Sequence, residues 1–465
     1  MTWHLNHARY GNKPWDVQLE AASRSAGHAK YGYFLEQGLG KTALALNDFV
    51  ERNDTDLMLV LAPNSFKLDW KLAPAEWGLS NLPAGTWPKD PITEGVYSIN
   101  YEAVRTSASE KLIKLLEKRD VMLVIDESSA IKNPQSLTSK AVVELAKRAK
   151  VVRELNGTPI VQNVMDYYAQ LRCLGELNGV NPYQFRNRFA RMGGFMGKQI
   201  VGMQNQEELY TILNRCSFRA LKTDWRDLPP KVYTLVRLEM TTKQRVHYRE
   251  MMEDFFTIVG GMEVEASMVL TQMDKLRQIS SCLALQGGIA AHFEIPANNP
   301  KVKALFDIHN SGLGKTIVVH HYRASGRMLQ VSCEAAGIKS ARIAGQMKPD
   351  ELLEEKRRYN EDPECRVLIG QESATCRGHT LIGGEEDNRC TRMVFFENSF
   401  SLLERLQMED RIHRGEQDQE CQYFDLVTSP MDQVVIDILT GKKEMANSVD
   451  AVVAAVRQLA AGQYD

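Results

Sequence analysis

Residues 36–42, near the start of the chain, combine the residue types that can hold a nucleotide phosphate. An apolar run precedes them, and a helical pattern over 43–50 follows. Glycines let the backbone curl so that its N–H groups point at one spot, and a helix N-terminus adds partial positive charge there. Lys41 would reach the β- and γ-phosphates, and the Thr42 hydroxyl would bind Mg²⁺. The stretch predicts a phosphate loop, although Leu35 stands where the full pattern begins with glycine.

Two adjacent acids, Asp126 and Glu127, follow the apolar run 121–125. That run predicts a buried parallel strand, and ligands of open α/β sheets bind at the carboxyl ends of such strands. Asp126 suits a ligand of Mg²⁺ or its water, and Glu127 suits orienting or activating an attacking water. Paired acids at a strand end can also be plain surface, but the earlier phosphate loop favours the catalytic interpretation.

Two other positions could belong to the same site. Gln18, in an amphipathic helical pattern before the loop, carries an amide that could read the edge of an adenine. The alternative for Gln18 is an exposed helix glutamine. Residues 156–163 follow the strand pattern 151–155, and there Thr158 and Pro159 would start a helix as its cap and first residue.

Late in the chain, residues 407–417 predict a helix that carries Arg411 and Arg414. Residues three apart share a helix face, so two guanidiniums there would form a bidentate clamp for phosphate. A solvated arginine pair is the alternative. Residues 311–316 repeat the phosphate-loop letters, but a strand pattern follows them instead of a helix. Backbone N–H groups would not converge on a phosphate there, and we expect no second nucleotide site.

Composition narrows the class of protein. The net charge of −2 over 465 residues requires any nucleic-acid surface to be a local basic strip. The eight cysteines are scattered without a C-x-x-C pair, which favours reduced thiols over a zinc site or a disulfide framework. The N-terminus has no signal-peptide core, and no apolar run is long enough for a membrane span. Strand and helix patterns alternate on both sides of a boundary at 228–231, which predicts two α/β domains.

Several stretches together resemble the superfamily 2 helicases and translocases, a group that includes the DEAD/DEAH proteins, and most closely the Swi/Snf-like branch: 36–42, 100–102, 126–127 with 131–134, 156–163, 228–231 and 407–417. The resemblance implies two RecA-like parallel-sheet domains in tandem. The first would span 1–227 with a helical insertion at about 164–222, and the second 228–465 with a helical insertion at about 241–300. It also implies ATP in the cleft between the domains and DNA across their tops.

The resemblance also implies residue roles. Catalysis falls to Lys41, Glu127, Arg411 and Arg414. Nucleotide binding falls to Gln18, Gly38, Leu39, Gly40, Lys41, Thr42 and Gln407, and Mg²⁺ binding to Thr42 and Asp126. Coupling of the ATP state to DNA falls to Gly157, Thr158, Pro159, Gly378 and His379. Two departures stand out: Ser128 and Ser129 replace the usual Ala-His after the acids, and 376–381 is a loose version of the family's fifth motif.

We therefore expect an ATP-dependent DNA translocase or helicase, with ATP and Mg²⁺ as cofactors and duplex or branched DNA as partner. RNA is a less favoured partner, and we expect a monomer that does not bind membranes. A compact core of this kind suits a bacterial or phage protein in the cytoplasm. Two alternatives remain: an RNA-directed helicase of the same superfamily, and a nucleotide-switched DNA-binding module without motor activity.

Overall fold

The computed structural model describes residues 2–7, 10–106, 108–157, 164–193, 199–225, 228–261, 266–286, 289–294, 296–376, 381–384, 388–414 and 417–441. The chain divides into two compact units, Met1–Asp227 and Leu228–Asp465. The dividing point coincides with the proline pair of 228–231, where neither a helix nor a central strand can continue.

Among the residues that the structure describes, the first unit has nine strands: β1 Lys30–Leu35, β2 Leu57–Ala62, β3 Ala84–Thr86, β4 Gly95–Asn100, β5 Val121–Asp126, β6 Val151–Leu155, β7 Ala190–Gly193, β8 Gln199–Met203 and β9 Ser217–Ala220. Seven of them form a parallel sheet in the order β3-β4-β2-β5-β6-β1-β9. Strand β2 is buried along its whole length, as expected of a parallel strand covered on both faces.

The described part of this unit also holds nine helices: α1 Asp16–Ser25, α2 Lys41–Glu51, α3 Lys67–Glu76, α4 Ala108–Lys118, α5 Leu137–Arg148, α6 Asp166–Cys173, α7 Pro182–Phe189, α8 Gln206–Cys216 and α9 Lys222–Trp225. The sheet separates two apolar cores. Met58 and Val60 pack with Ala43 and Leu44 on one face, whereas Leu59 packs with Val142 and Leu145 of α5 on the other. Alternate residues of one strand therefore anchor helices on both sides.

The predicted helical insertion at 164–222 differs in the structure, because it also contains strands. Strands β7 and β8 form an antiparallel pair within it, and β9 joins the main sheet beside β1. The backbone groups of 199–203 and 217–220 find their hydrogen-bond partners in the neighbouring strands β7 and β1.

In its described residues, the second unit contains eight strands: β10 Lys231–Arg237, β11 Leu283–Gln286, β12 Ile289–His292, β13 Lys315–His320, β14 Ser340–Ile343, β15 Val367–Gln371, β16 Cys390–Phe395 and β17 Cys421–Val427. Six form a parallel sheet in the order β10-β17-β16-β13-β15-β14, while β11 and β12 pair antiparallel. Its helices are α10 Thr242–Gly261, α11 Ala266–Ser280, α12 Pro300–Asn310, α13 Arg323–Ala335, α14 Pro349–Glu361, α15 Glu372–Thr375, α16 Leu402–Glu409 and α17 Pro430–Gly441.

The predicted fold class, two RecA-like parallel-sheet domains in tandem with helices, is confirmed. The segment 241–300 holds the long helices α10 and α11, but also the strand pair β11 and β12. Among the residues that the structure describes, no helix has the length and apolar character needed to cross a membrane.

Candidate nucleotide site and arginine segment

The phosphate-loop stretch has the local structure that its sequence predicts. Strand β1 ends at Leu35, the loop follows, and α2 begins at Lys41. Gly38 and Gly40 have φ angles of 90° and 75°, a left-handed conformation that side chains other than glycine rarely adopt. The Lys41 ammonium group donates to the Leu35 carbonyl at 2.8 Å. The lysine therefore lies folded over the loop, with its charge at the carboxyl end of β1.

Asp126 lies on the same edge of the sheet, because it ends β5 and only β6 separates β5 from β1. The indole N–H of Trp70 donates to the Asp126 carboxylate at 2.8 Å, and the Tyr101 hydroxyl donates to its backbone carbonyl at 2.7 Å. Burial and the neighbouring Glu127 raise the pKa of Asp126 to about 7, against the opposing effects of Trp70 and Lys41. A cation here would relieve the cost of ionising that carboxyl.

Glu127 has a φ angle of 54°, which is strained for a residue with a β-carbon. Strain of this kind costs about 1–3 kcal/mol and is found mainly at functional sites. The residue begins the short 3₁₀ turn Ser128–Ile131, whose first member is completely buried. The turn thus fixes the backbone of Glu127 at the position where the chain leaves the sheet.

Gln18 is buried, not exposed on its helix, with 3% of its surface accessible. Its side-chain oxygen accepts from the Trp15 backbone N–H at 2.8 Å, and its nitrogen donates to the Gly40 carbonyl at 3.3 Å. A β-carbon built at Gly40 would lie 2.1 Å from that nitrogen. The glutamine therefore caps α1 and touches the phosphate loop at once.

Gly157, two residues beyond the end of β6, lies against the phosphate loop. A β-carbon there would come within 2.6 Å of Gln37 Cγ and 3.3 Å of the Lys41 ammonium nitrogen. Four further predicted coupling residues lie outside the described residues: Thr158, Pro159, Gly378 and His379.

The prediction that Arg411 and Arg414 share a helix face is wrong. Helix α16 ends at Glu409, and the chain continues as a turn in which the Arg411 N–H bonds to the Met408 carbonyl. The guanidinium of Arg411 donates to the nearby carbonyl of Gln407 at 2.9 Å and to the distant carbonyl of Cys376 at 2.8 Å. Arg411 is completely buried.

Arg414 differs from Arg411 in its surroundings. Its side chain is half-buried, and its Nε donates to the Asp410 carbonyl at 3.1 Å. Gln407, the remaining predicted nucleotide contact, is 9% exposed and holds Arg411 through its backbone carbonyl. Of the two arginines, Arg414 is the less buried.

The repeated phosphate-loop letters at 311–316 do not form a loop of the first kind. Strand β13 starts at Lys315, whose side chain is completely buried. The ammonium group donates to the carbonyls of Tyr359 and Asp362, the second at 2.7 Å. Lys315 therefore holds α14 against the sheet, as a structural residue.

A basic pocket lies at the carboxyl ends of β13, β14 and β15, with a volume of about 220 Å³. Three guanidiniums line it, together with a histidine, two amides, one carboxylate and three residues without polar side chains: His320, Arg323, Gly326, Arg327, Arg342, Ala344, Gln346, Met347, Glu351 and Gln371. His320 is 2% exposed, and its Nε2 has no hydrogen-bond partner. Sequence reasoning missed this pocket, although Arg323 and Arg327 are four apart on one helix.

Comparison with known proteins extends these observations. Residues 34–284 match the family model described as the SNF2-related domain. The chain is 22% identical over 437 residues to the human "DNA annealing helicase and endonuclease ZRANB3", covering 89% of this chain and 38% of that protein. It is 23% identical to an "Uncharacterized ATP-dependent helicase" of Mycoplasma pneumoniae, covering 90% and 40%.

Among solved structures, "Sulfolobus solfataricus SWI2/SNF2 ATPase core in complex with dsDNA" is 20% identical, with a TM-score of 0.42, covering 96% of this chain and 94% of that one. The chain spans only 38% and 40% of the two curated relatives' own lengths. The family match, in contrast, covers more than half of this chain and includes the phosphate loop and both acids. The chain belongs to the SNF2-related domain family.

Proposed function

We propose that this protein is a DNA-dependent ATPase that uses ATP hydrolysis to move along, or remodel, duplex or branched DNA. Residues 1–227 would form the ATP-binding domain and 228–465 the second helicase domain. One observation carries the proposal: the phosphate loop with Lys41 and the acids Asp126 and Glu127 lie together at the carboxyl edge of one parallel sheet.

The donor set of this edge fits ATP with Mg²⁺. The Thr42 hydroxyl and the Asp126 carboxylate are hard oxygen ligands of the kind that Mg²⁺ prefers. When bound, the ion would neutralise charge on the phosphate oxygens. The backbone N–H groups at 38–42 would hold the phosphates, and the Lys41 ammonium group would exchange the Leu35 carbonyl for phosphate oxygen.

Hydrolysis then requires a water and a second cation. Glu127 would orient the attacking water and accept its proton. Arg414 would supply a guanidinium to the γ-phosphate as negative charge spreads over its oxygens in the transition state. Arg411 would act through its neighbours, because its guanidinium is already bonded to two backbone carbonyls.

The basic pocket of the second unit supports DNA as the partner. Three arginines face one cavity in a chain of net charge −2, so the positive charge is local, as a phosphate contact requires. The human relative's name contains "DNA annealing helicase". RNA as the activating polymer is the competing candidate, which the experiment below separates.

The test is ATP hydrolysis measured with single-stranded, duplex, forked and four-way DNA and with RNA. We expect stimulation by duplex or branched DNA and little by RNA. Glu127→Gln should bind ATP and DNA but hydrolyse very slowly, because the amide keeps the shape and loses the base. Stimulation by RNA alone would favour the RNA-directed helicase, and slow turnover of the wild type with every polymer would favour the nucleotide-switched module.

A further inference from the structure

The chain enters the second unit through residues 228–233, the entry segment, which is bonded to residues 409–414, the arginine segment. The Lys231 ammonium group donates to the Glu409 carboxylate at 3.1 Å and lies 3.6 Å from the Asp410 carboxylate. The Tyr233 hydroxyl donates to the same Glu409 oxygen at 2.7 Å. The imidazole Nε2 of His413 donates to the Pro229 carbonyl at 2.9 Å.

Glu409 is the centre of these contacts and is only 3% exposed. Its second oxygen accepts from Arg405 Nε at 2.8 Å, and Arg405 in turn donates to the Asp425 carboxylate at 3.0 Å. Removing one partner from a buried network leaves an uncompensated charge, so the network resists local rearrangement. The entry segment and the arginine segment therefore behave as one rigid element.

The network leads directly to Arg414. Asp410 presents its carboxylate to Lys231 and its backbone carbonyl to Arg414 Nε, at 3.1 Å. Apart from these polar contacts, the entry strand is poorly packed: Val232 is 37% and Leu235 is 38% exposed. Tyr233 is itself 54% exposed, and its hydroxyl and the Lys231 ammonium group are the polar tips by which the strand contacts Glu409.

We infer that Lys231 and Tyr233 are positioning residues: they fix the orientation of Arg414 by holding Glu409 and Asp410. Because residues 228–231 are also where the chain passes from the first unit to the second, displacement of this stretch is transmitted to the arginine. The inference rests on the role proposed above for Arg414, and the experiment keeps the two apart.

Two substitutions test it in the full chain. Lys231→Met keeps the stem and removes the charge, whereas Tyr233→Phe removes a single hydroxyl. We expect DNA-stimulated kcat to fall about tenfold in Lys231→Met, because misplacing a catalytic group by about 1 Å can cost up to 10²-fold. DNA-stimulated kcat should fall by less in Tyr233→Phe, and Lys231→Arg should retain most of the activity. KM for ATP should stay within about twofold of the wild-type value in all three variants, because we do not expect these substitutions to change ATP binding.

Matched controls are Lys303→Met, which removes an exposed lysine of α12, and Tyr97→Phe, which removes a hydroxyl bonded to Thr93 at 2.7 Å in the first unit. Both should hydrolyse ATP like the wild type. If Lys231→Met fails to fold, Tyr233→Phe carries the test, because it removes one atom from a partly exposed ring.

A double variant distinguishes a positioning role of Lys231 from a merely structural one. Lys231→Met combined with Arg414→Ala should be no slower than Arg414→Ala alone, because the lysine acts only through the arginine. Additive losses, or wild-type turnover in both Lys231→Met and Tyr233→Phe, would overturn the positioning role while leaving the proposed function intact. Wild-type DNA-stimulated turnover in Arg414→Ala would instead overturn the role of Arg414, and the positioning role with it.

Discussion

The nucleotide site of the first unit and the arginine segment of the second are built in opposite ways. The phosphate loop takes its shape from two glycines and a helix start within seven consecutive residues. The arginine segment takes its shape from partners far along the chain, since Glu409 lies 178 residues from Lys231. The first can form wherever a strand meets a helix, whereas the second exists only after the whole sheet of its unit has assembled.

The largest effect is expected at the locally built site. Lys41→Ala should abolish ATP hydrolysis, because each charge-assisted bond to phosphate contributes about 1.5–3 kcal/mol in a buried site. The fold should survive, because the hydrogen bond that is lost joins the lysine to the carbonyl of Leu35, at the end of β1. ATPase activity and thermal unfolding check this, with Lys303→Ala as the control. Unaltered hydrolysis by a folded Lys41→Ala protein would remove the phosphate-loop assignment.

The next effect separates the two arginines. Arg414→Ala should bind ATP and DNA but lose about 10³-fold or more of its DNA-stimulated turnover, as arginine fingers do. Arg414→Lys should not rescue it, because an ammonium group cannot reproduce the planar fork. Parallel measurements of nucleotide affinity and turnover check this. DNA-stimulated turnover within a few-fold of the wild type would contradict a role for Arg414 in the transition state.

Arg411→Ala should fail differently, by lowering stability. Its buried guanidinium holds two backbone carbonyls, and leaving such groups unsatisfied costs about 1–3 kcal/mol each. Urea unfolding of Arg411→Ala beside Arg414→Ala measures the contrast. Equal stabilities with equal losses of turnover would mean that both arginines act directly on the nucleotide.

This contrast also explains what the sequence could predict. The sequence does not predict the strand order, but it predicts central buried strands, because parallel strands buried on both faces are continuous apolar runs such as 121–125. Strands β7, β8 and β9, in the segment predicted to be helical, are not among those it predicts. The phosphate loop and the acids were readable for the same local reason. Arg411 lies beyond the end of α16, and one partner of its guanidinium is the carbonyl of Cys376, 35 residues earlier, which no local pattern indicates.

Trp70 and Tyr101 were missed on similar grounds. Both orient Asp126, but Trp70 lies 56 residues and Tyr101 25 residues before it. An aromatic residue with a polar tip next to a buried strand is a weak signal, which gains meaning only when the sheet brings it to the carboxyl edge. The sequence thus predicts the local motifs of the candidate site, whereas the residues that hold them in place come from distant parts of the chain.

Gln18 sharpens the comparison within the first unit, because it joins a local cap to a contact 22 residues away. Gln18→Ala removes both, so we expect a stability loss of about 1 kcal/mol from the cap and a weaker affinity for ATP. Gln18→Glu should keep the bond from the Trp15 N–H but lose the donor to Gly40. Wild-type ATP affinity in Gln18→Glu would show that the amide nitrogen serves the fold alone.

The smallest effect is expected at the basic pocket of the second unit, because three guanidiniums line it and the loss of one leaves two. Arg327→Ala should weaken DNA binding a few-fold without altering sequence preference, because phosphate contacts carry no base information. The slope of log affinity against log salt should decrease by about one, the signature of one lost phosphate contact. ATP hydrolysis without DNA should be unchanged, since no residue of the nucleotide site is involved.

The matched control is Arg357→Ala, on the exposed face of α14, where the guanidinium is paired with Glu354 and Glu361. If Arg327→Ala shows the same salt slope as the wild type, as the control Arg357→Ala should, the pocket does not contact DNA. The DNA surface of the second unit then lies elsewhere.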